Sequence, residues 1–171
     1  MRQVRMSVFE TNSSSTHSVC ITRNRHTEVY PEKLYFRCQN FGWEERKLDT
    51  PEDKAAYLYA AMLSLYDRDE VEAAKNKIFT ILGDVGVDCE FEPAEYYGKS
   101  TRWCKSAYVD HACEDDLPRF VESVLKGRGR LLRFLFSGES FVLTGNDNDA
   151  TNVIIRVGYR HEKYYKGIWW D

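Results

Sequence analysis

A chain of 171 residues that is 43% hydrophobic and 30% charged has the apolar content of a folded protein with one sizeable core, which excludes an intrinsically disordered chain. Its apolar runs fall far short of the ~20 residues of a membrane helix, and the basic start Met1–Arg5 has neither the apolar stretch nor the small-residue cleavage site of a secretory leader behind it. The net charge of −3 conceals a segregation: residues 1–43 and 126–166 are basic and residues 44–95 strongly acidic, so two basic ends that meet in space would make one electropositive face beside an acidic lobe.

In chain order, Val4, Met6 and Val8 alternate with polar residues, the period of a half-buried strand, and Val19 to Arg23 reads as its partner. The hydroxyl-rich segment Phe9 to Ser18 then connects them or caps their ends. Lys33 to Cys38 and Trp43 to Leu48 predict two more strands around the turn-like Gln39-Asn40-Phe41-Gly42. Thr50-Pro51-Glu52-Asp53 is a helix start, with Thr50 as cap, proline in the first position and two acids against the helix dipole. That helix is expected to reach about Tyr66 and to bury Ala55, Leu58, Tyr59, Met62 and Leu65 or Tyr66. Asp67 caps a second helix from about Arg68 to Leu82 with Val71, Ala74, Ile78, Ile81 and Leu82 on one face, and Gly83 stops it. Val87 to Phe91 and Ala107 to His111 predict strands, Asp116-Leu117-Pro118 opens a third helix that ends at Gly127, and Leu131 to Phe136 suits a short helix. Phe141 to Leu143 and Val153 to Val157 read as closing strands around the turn 145–149. The fold class expected is α+β, in a single domain over residues 1–171. It is a mostly antiparallel sheet from both chain ends, with a helical hairpin inserted at about 50–83 and one further helix.

The segment Ser13-Ser14-Ser15-Thr16-His17 concentrates hydroxyls, backbone N–H groups and an imidazole that ordinarily titrates near neutrality. Such a group cradles an anion when the chain curls into a nest; the alternative is a turn whose hydroxyls bond their own backbone. It is not a Walker A loop, for it lacks the glycines and the Lys-Ser/Thr pair. A phosphate ligand needs fixed donors, a cation and an optional acid or base. The candidate set is therefore His17 in a catalytic role, with Asn12, Ser13, Ser14, Ser15, Thr16, Arg23, Arg128, Arg130 and Asn146 as ligand-binding residues. Lys126-Gly127-Arg128-Gly129-Arg130 with Arg133 forms a compact basic stretch. Arg156, Arg160, His161, Lys163 and Lys166 follow it, interleaved with Tyr159, Tyr164, Tyr165, Trp169 and Trp170. That is the composition either of phosphate tracking with base stacking or of a solvated basic surface with an aromatic seal on the core.

Two metal readings are weaker than their alternatives. Cys104, His111 and Cys113, with Cys89 or Cys38 as a fourth ligand, lack any Cys-x-x-Cys knuckle, and buried thiols are the simpler account. Asp147 and Asp149 with Asn146 and Asn148 offer oxygens to a hard cation but no calcium-loop pattern, and a plain turn suffices. No metal and no cofactor is expected. The cysteines, Cys20, Cys38, Cys89, Cys104 and Cys113, are odd in number and scattered, which suits reduced thiols in a cytoplasm better than a disulfide framework.

The stretch Val8-Phe9-Glu10-Thr11-Asn12-Ser13-Ser14-Ser15-Thr16-His17-Ser18 resembles the amino-terminal signature of a group of uncharacterised phage and prophage proteins of Gram-positive bacteria. Phe136 and Phe141-Val142-Leu143-Thr144-Gly145-Asn146-Asp147-Asn148 are similar to the same group. The resemblance implies a phage-type accessory protein in the host cytoplasm and carries no activity with it. It also implies that the two distant blocks are parts of one site. The function expected is binding of a phosphate-bearing ligand, a nucleotide or a nucleic acid, by the Ser/Thr/His segment, with phosphodiester cleavage as the reaction it suits if it turns over. The alternative is a non-enzymatic inhibitor of a host defence protein, such as a CRISPR effector nuclease, docking through the acidic helices or the aromatic carboxy terminus. A purely structural hydroxyl loop closing a hairpin is the third reading.

Overall fold

The computed structural model describes residues 15–21, 29–42, 44, 46–97, 104–110 and 116–146. Its elements in chain order are β1 (Ser15–Cys20), β2 (Lys33–Phe36), β3 (Asn40–Phe41), β4 (Arg46–Leu48), α1 (Pro51–Leu65), α2 (Arg68–Gly83), β5 (Asp88–Phe91), β6 (Tyr108–Val109), α3 (Asp116–Leu125), α4 (Arg128–Phe136) and β7 (Phe141–Asn146). The fold is mixed α and β.

Helix α1 begins as its residues dictate. The Thr50 side chain accepts from the Asp53 N–H at 3.1 Å and donates to the Asp53 carboxylate at 2.8 Å, and Pro51 takes the first helical position. Every residue from Lys54 to Leu63 is buried. A helix that is apolar all round is a core helix rather than a surface one, and Ala55-Ala56, Tyr57-Leu58-Tyr59 and Ala60-Ala61-Met62-Leu63 leave no polar stripe. The expected one-sided face is thus corrected: α1 runs through the interior, against β2, β6, α3 and α4. Helix α2 is one-sided as expected and buries Val71, Ala74, Ile78, Ile81 and Leu82. Asp67 and Glu70 close a reciprocal capping box at its start. After it, Gly86 adopts φ +76°, and the Val87 N–H returns to the Leu82 carbonyl, turning the chain into β5.

The sheet differs from the expectation. Strands β1, β7 and β4 form one antiparallel sheet in that order, whereas β2 with β5 and β3 with β6 form two separate parallel pairs. A mostly antiparallel sheet is therefore corrected to one antiparallel piece and two parallel ones. The reason lies in the connections: the chain passes through α1 and α2 between the members of each pair, and a strand that returns after a helical crossover pairs parallel. The segment Gln39–Gly42, expected as a turn, contains β3, because Phe41 is buried in the core and the Phe41 carbonyl accepts from the Asp110 N–H at 2.7 Å. Strand β7 continues through Gly145 and Asn146, which were expected in a turn. The predicted strands Val4–Val8 and Val153–Val157 lie outside the described residues.

Two polar groups of α1 fix the strands around it. The buried Lys54 ammonium donates to the carbonyls of Ser137 (2.8 Å) and Ser140 (3.0 Å), which holds the entry of β7 against the helix. Ser64 bonds its own helix through the Ala60 carbonyl and accepts from the Val109 N–H at 2.9 Å, which sets the position of β6. Among the described residues no helix is long and apolar enough to cross a membrane.

Candidate functional site at the end of the antiparallel sheet

From Ser15 onward the hydroxyl-rich segment is strand, not loop. Strand β1 pairs with β7 in the register Ser15 to Asn146, Thr16 to Gly145, His17 to Thr144 and Val19 to Val142. On the other side of β7, Arg46 lies opposite Thr144 and Leu48 opposite Val142. Residues directly opposite in a sheet share a face, and residues two apart along a strand share it too. Val19, Val142 and Leu48 are all buried, so their face is the core face. His17, Thr144 and Arg46 form the next row of that same face, a polar row at the margin of the core. Beyond it come the paired positions Ser15 and Asn146.

His17 stands at the centre of this margin. Its imidazole hydrogen-bonds the backbone of Asp110, just past β6, and its ring lies 5.8 Å from the ring of Tyr57 on α1. Burial dominates its titration and pushes the pKa down to about 4, while the Asp110 backbone and carboxylate partly oppose that shift. The imidazole is therefore neutral at pH 7, which corrects the expectation of a group titrating near neutrality. Tyr57 is itself enclosed by Phe41 and Phe120 at centroid distances of 5.2 and 5.6 Å, and burial raises its hydroxyl far above the ordinary phenol range. Asp110 packs against Gly42 so closely that a Cβ on Gly42 would sit 3.2 Å from the Asp110 Cβ.

Thr144 is 3% exposed and donates its hydroxyl to the Glu44 carbonyl at 2.7 Å. Arg46 keeps 39% of its side chain in solvent. Its guanidinium lies 5.8 Å over the Phe41 ring and 3.9 Å from the Asp53 carboxylate, a distance at which the ion pair is weak. The row thus joins a neutral imidazole to a partly exposed guanidinium, both anchored on an aromatic floor of Phe41 and Tyr57.

The sequence candidates divide accordingly. His17, Ser15 and Asn146 come together on one face of β1 and β7, whereas Thr16, paired with Gly145, belongs to the opposite face. Arg128 and Arg130 stand elsewhere, at the head of α4: Arg128 lies 3.9 Å from Asp84, and Arg130 donates to the Ser123 hydroxyl at 2.6 Å. Asn12, Ser13, Ser14 and Arg23 lie outside the described residues, as do His111, Cys113, Asp147, Asn148, Asp149 and the aromatic carboxy terminus. Sequence reasoning did not single out Arg46, Thr144, Tyr57 or Asp110 as site residues, although Thr144 stands in the block Phe141 to Asn148. The first two carried a signal, since Arg46/Leu48 and Thr144/Val142 repeat the His17/Val19 spacing of a polar residue two positions from an inward apolar one. Tyr57 and Asp110 carried none, because a helix and a remote strand end bring them in. Compared with protein-family models, with curated proteins and with solved structures, the chain finds no match in any of the three.

Proposed function

We propose that the protein is a phage or prophage accessory protein that binds a phosphate-bearing ligand, a nucleotide or a nucleic acid, at the margin of the β1-β7-β4 sheet. The observation that carries this reading is the register that sets His17, Thr144 and Arg46 in one row beside the paired Ser15 and Asn146. Arg46 supplies the cation and the planar donors that suit phosphate. His17 acts as a hydrogen-bonding group of fixed orientation. The reading favours binding over turnover, because an imidazole with a pKa of about 4 holds no proton to give at pH 7 and is a weak base.

Thermal-shift titration of the wild type, Arg46→Met and His17→Gln with nucleotides, short RNA and short DNA tests it. Stabilisation by one of these ligands, lost in Arg46→Met and reduced in His17→Gln, is the expected result. No stabilisation of the folded wild type by any of them overturns the reading. The alternative, an inhibitor that docks on a host defence protein, has its own support in α2, whose outward side presents Asp69, Glu70, Glu72 and the 44% exposed Phe79. Under it, charge reversal at Asp69 or Glu72 weakens a protein complex and Arg46→Met does not.

A further inference from the structure

Cys38 and Cys104 come from segments far apart in the chain, yet both meet one hydroxyl. The Cys104 sulfur lies 3.5 Å from Ser106 Oγ, and Cys38 hydrogen-bonds the same side chain. Both thiols are free and half-buried. Cys38 is held in place from three sides: its N–H donates to the Glu92 carboxylate at 2.8 Å, and its thiol faces the carbonyls of Glu92 and Pro93 at 3.8 and 3.9 Å. Cys104 is held by its bridge to Tyr96, and Ser106 by the Glu95 N–H at 2.9 Å. The two sulfurs thus share one neighbour, Ser106 Oγ, and joining them requires that they close the space in which that hydroxyl stands. Cys89 belongs to β5, opposite Leu34, and takes no part in this group.

We propose that Cys38 and Cys104 are a dithiol site that a low-molecular-weight disulfide, such as oxidised glutathione, converts reversibly into an intramolecular disulfide. One protein thiolate attacks a sulfur of the small disulfide, whose S–S bond breaks and releases one glutathione thiol. The second thiolate attacks the protein sulfur of the mixed disulfide and releases the second glutathione. Two protein thiols are oxidised, one small disulfide is reduced to two thiols, and the two thiol protons leave with the glutathione. The site has a structural consequence. Cys38 leads into β3 and Cys104 into β6, so the bond ties together the two strands whose Phe41–Asp110 pairing supports His17. Burial raises the Cys38 thiol above its ordinary value, so the thiol is quiet under reducing conditions and forms the bond slowly.

The test is peptide mapping without reduction after the full chain is equilibrated in glutathione buffers of increasing oxidised fraction. Expected is a peptide pair joined through Cys38 and Cys104, with two thiols lost per chain and both recovered by dithiothreitol. Cys38→Ser and Cys104→Ser, folded by circular dichroism, are each expected to lose the joined pair and to retain a glutathione adduct on the remaining partner, whereas Cys89→Ser retains the link. A wild type that keeps its thiols throughout, that joins Cys38 or Cys104 to another cysteine, or that carries separate adducts on both without joining them, overturns the proposal.

Discussion

His17 and Lys54 are two basic groups removed from water, and they are treated differently. His17 responds by staying neutral. Between pH 6.5 and about 4 the unfolded chain takes up a proton at this residue and the folded chain does not, so stability falls as the pH falls through that window and is indifferent above it. The full loss is on the order of 3 kcal/mol. Urea midpoints measured from pH 7.5 to 4 are expected to decline more steeply for the wild type than for His17→Gln, and parallel profiles would remove His17 from the burial assigned to it. Lys54 responds by finding partners, the two carbonyls ahead of β7. Lys54→Met keeps the bulk of the side chain and removes both of these hydrogen bonds from the interior, where the Ser137 carbonyl keeps the Ser140 N–H at 3.1 Å, at a cost of about 1–3 kcal/mol. A midpoint unchanged in urea would mean that water reaches Ser137 and Ser140.

At the scale of elements, α1 and α2 show two ways for a helix to be specified. Helix α2 depends on its cap and its single apolar face. Asp67→Ala removes the acceptor of the Asp69 and Glu70 N–H groups and is expected to lower stability by about 1 kcal/mol. Helix α1 depends on small residues that let neighbours approach from every side. Ala60→Leu places extra volume where the residue is wholly enclosed, and overpacking of this kind costs about 1–3 kcal/mol. Chemical denaturation separates these cases from the control Ala73→Leu, which lies on the exposed side of α2 and is expected to change little. The strands follow a different logic. Val19, Val142 and Leu48 hold the β1-β7-β4 register because a slip of one residue would turn all three out of the core.

Across the whole molecule one buried cluster links Val19 and Val142 of the antiparallel sheet to Tyr57 of α1, Ile78 of α2, Phe120 of α3 and Phe134 of α4. Leu48→Ala, at the sheet end of that cluster, is expected to cost about 2–5 kcal/mol. The loss should appear at the same urea concentration in far-ultraviolet dichroism, which follows the helices, and in near-ultraviolet dichroism, which follows the packed tyrosines. Two separate midpoints would show that the antiparallel sheet unfolds independently of the helices. The same continuity explains why the polar row sits where it does. The aromatic line from Tyr57 to Phe120 and Phe134 fills the interior up to His17, and the row is the first polar layer beyond it.

The sequence by itself determined where α1 and α2 begin and roughly where they end, because a cap and a proline are local signals: Thr50-Pro51 and Asp67 with Glu70 acted where they stand, whereas α4 starts at Arg128, three residues before the expected Leu131, and the turn after α2 is made at Gly86 rather than at Gly83. It also pointed to His17 and to the block around Asn146, and these meet across β1 and β7. It did not determine that the hydroxyl-rich segment is a strand, since Ser15 to Ser18 have no strong preference alone and take extended form by pairing with β7. Nor did it determine the parallel pairs, which follow from α1 lying between their strands. Tertiary structure alone decided the chemistry of the site. His17 is neutral because Tyr57 and the Asp110 segment enclose it, and Arg46 joins it because β7 lies between them; neither fact is encoded within a few residues of either side chain.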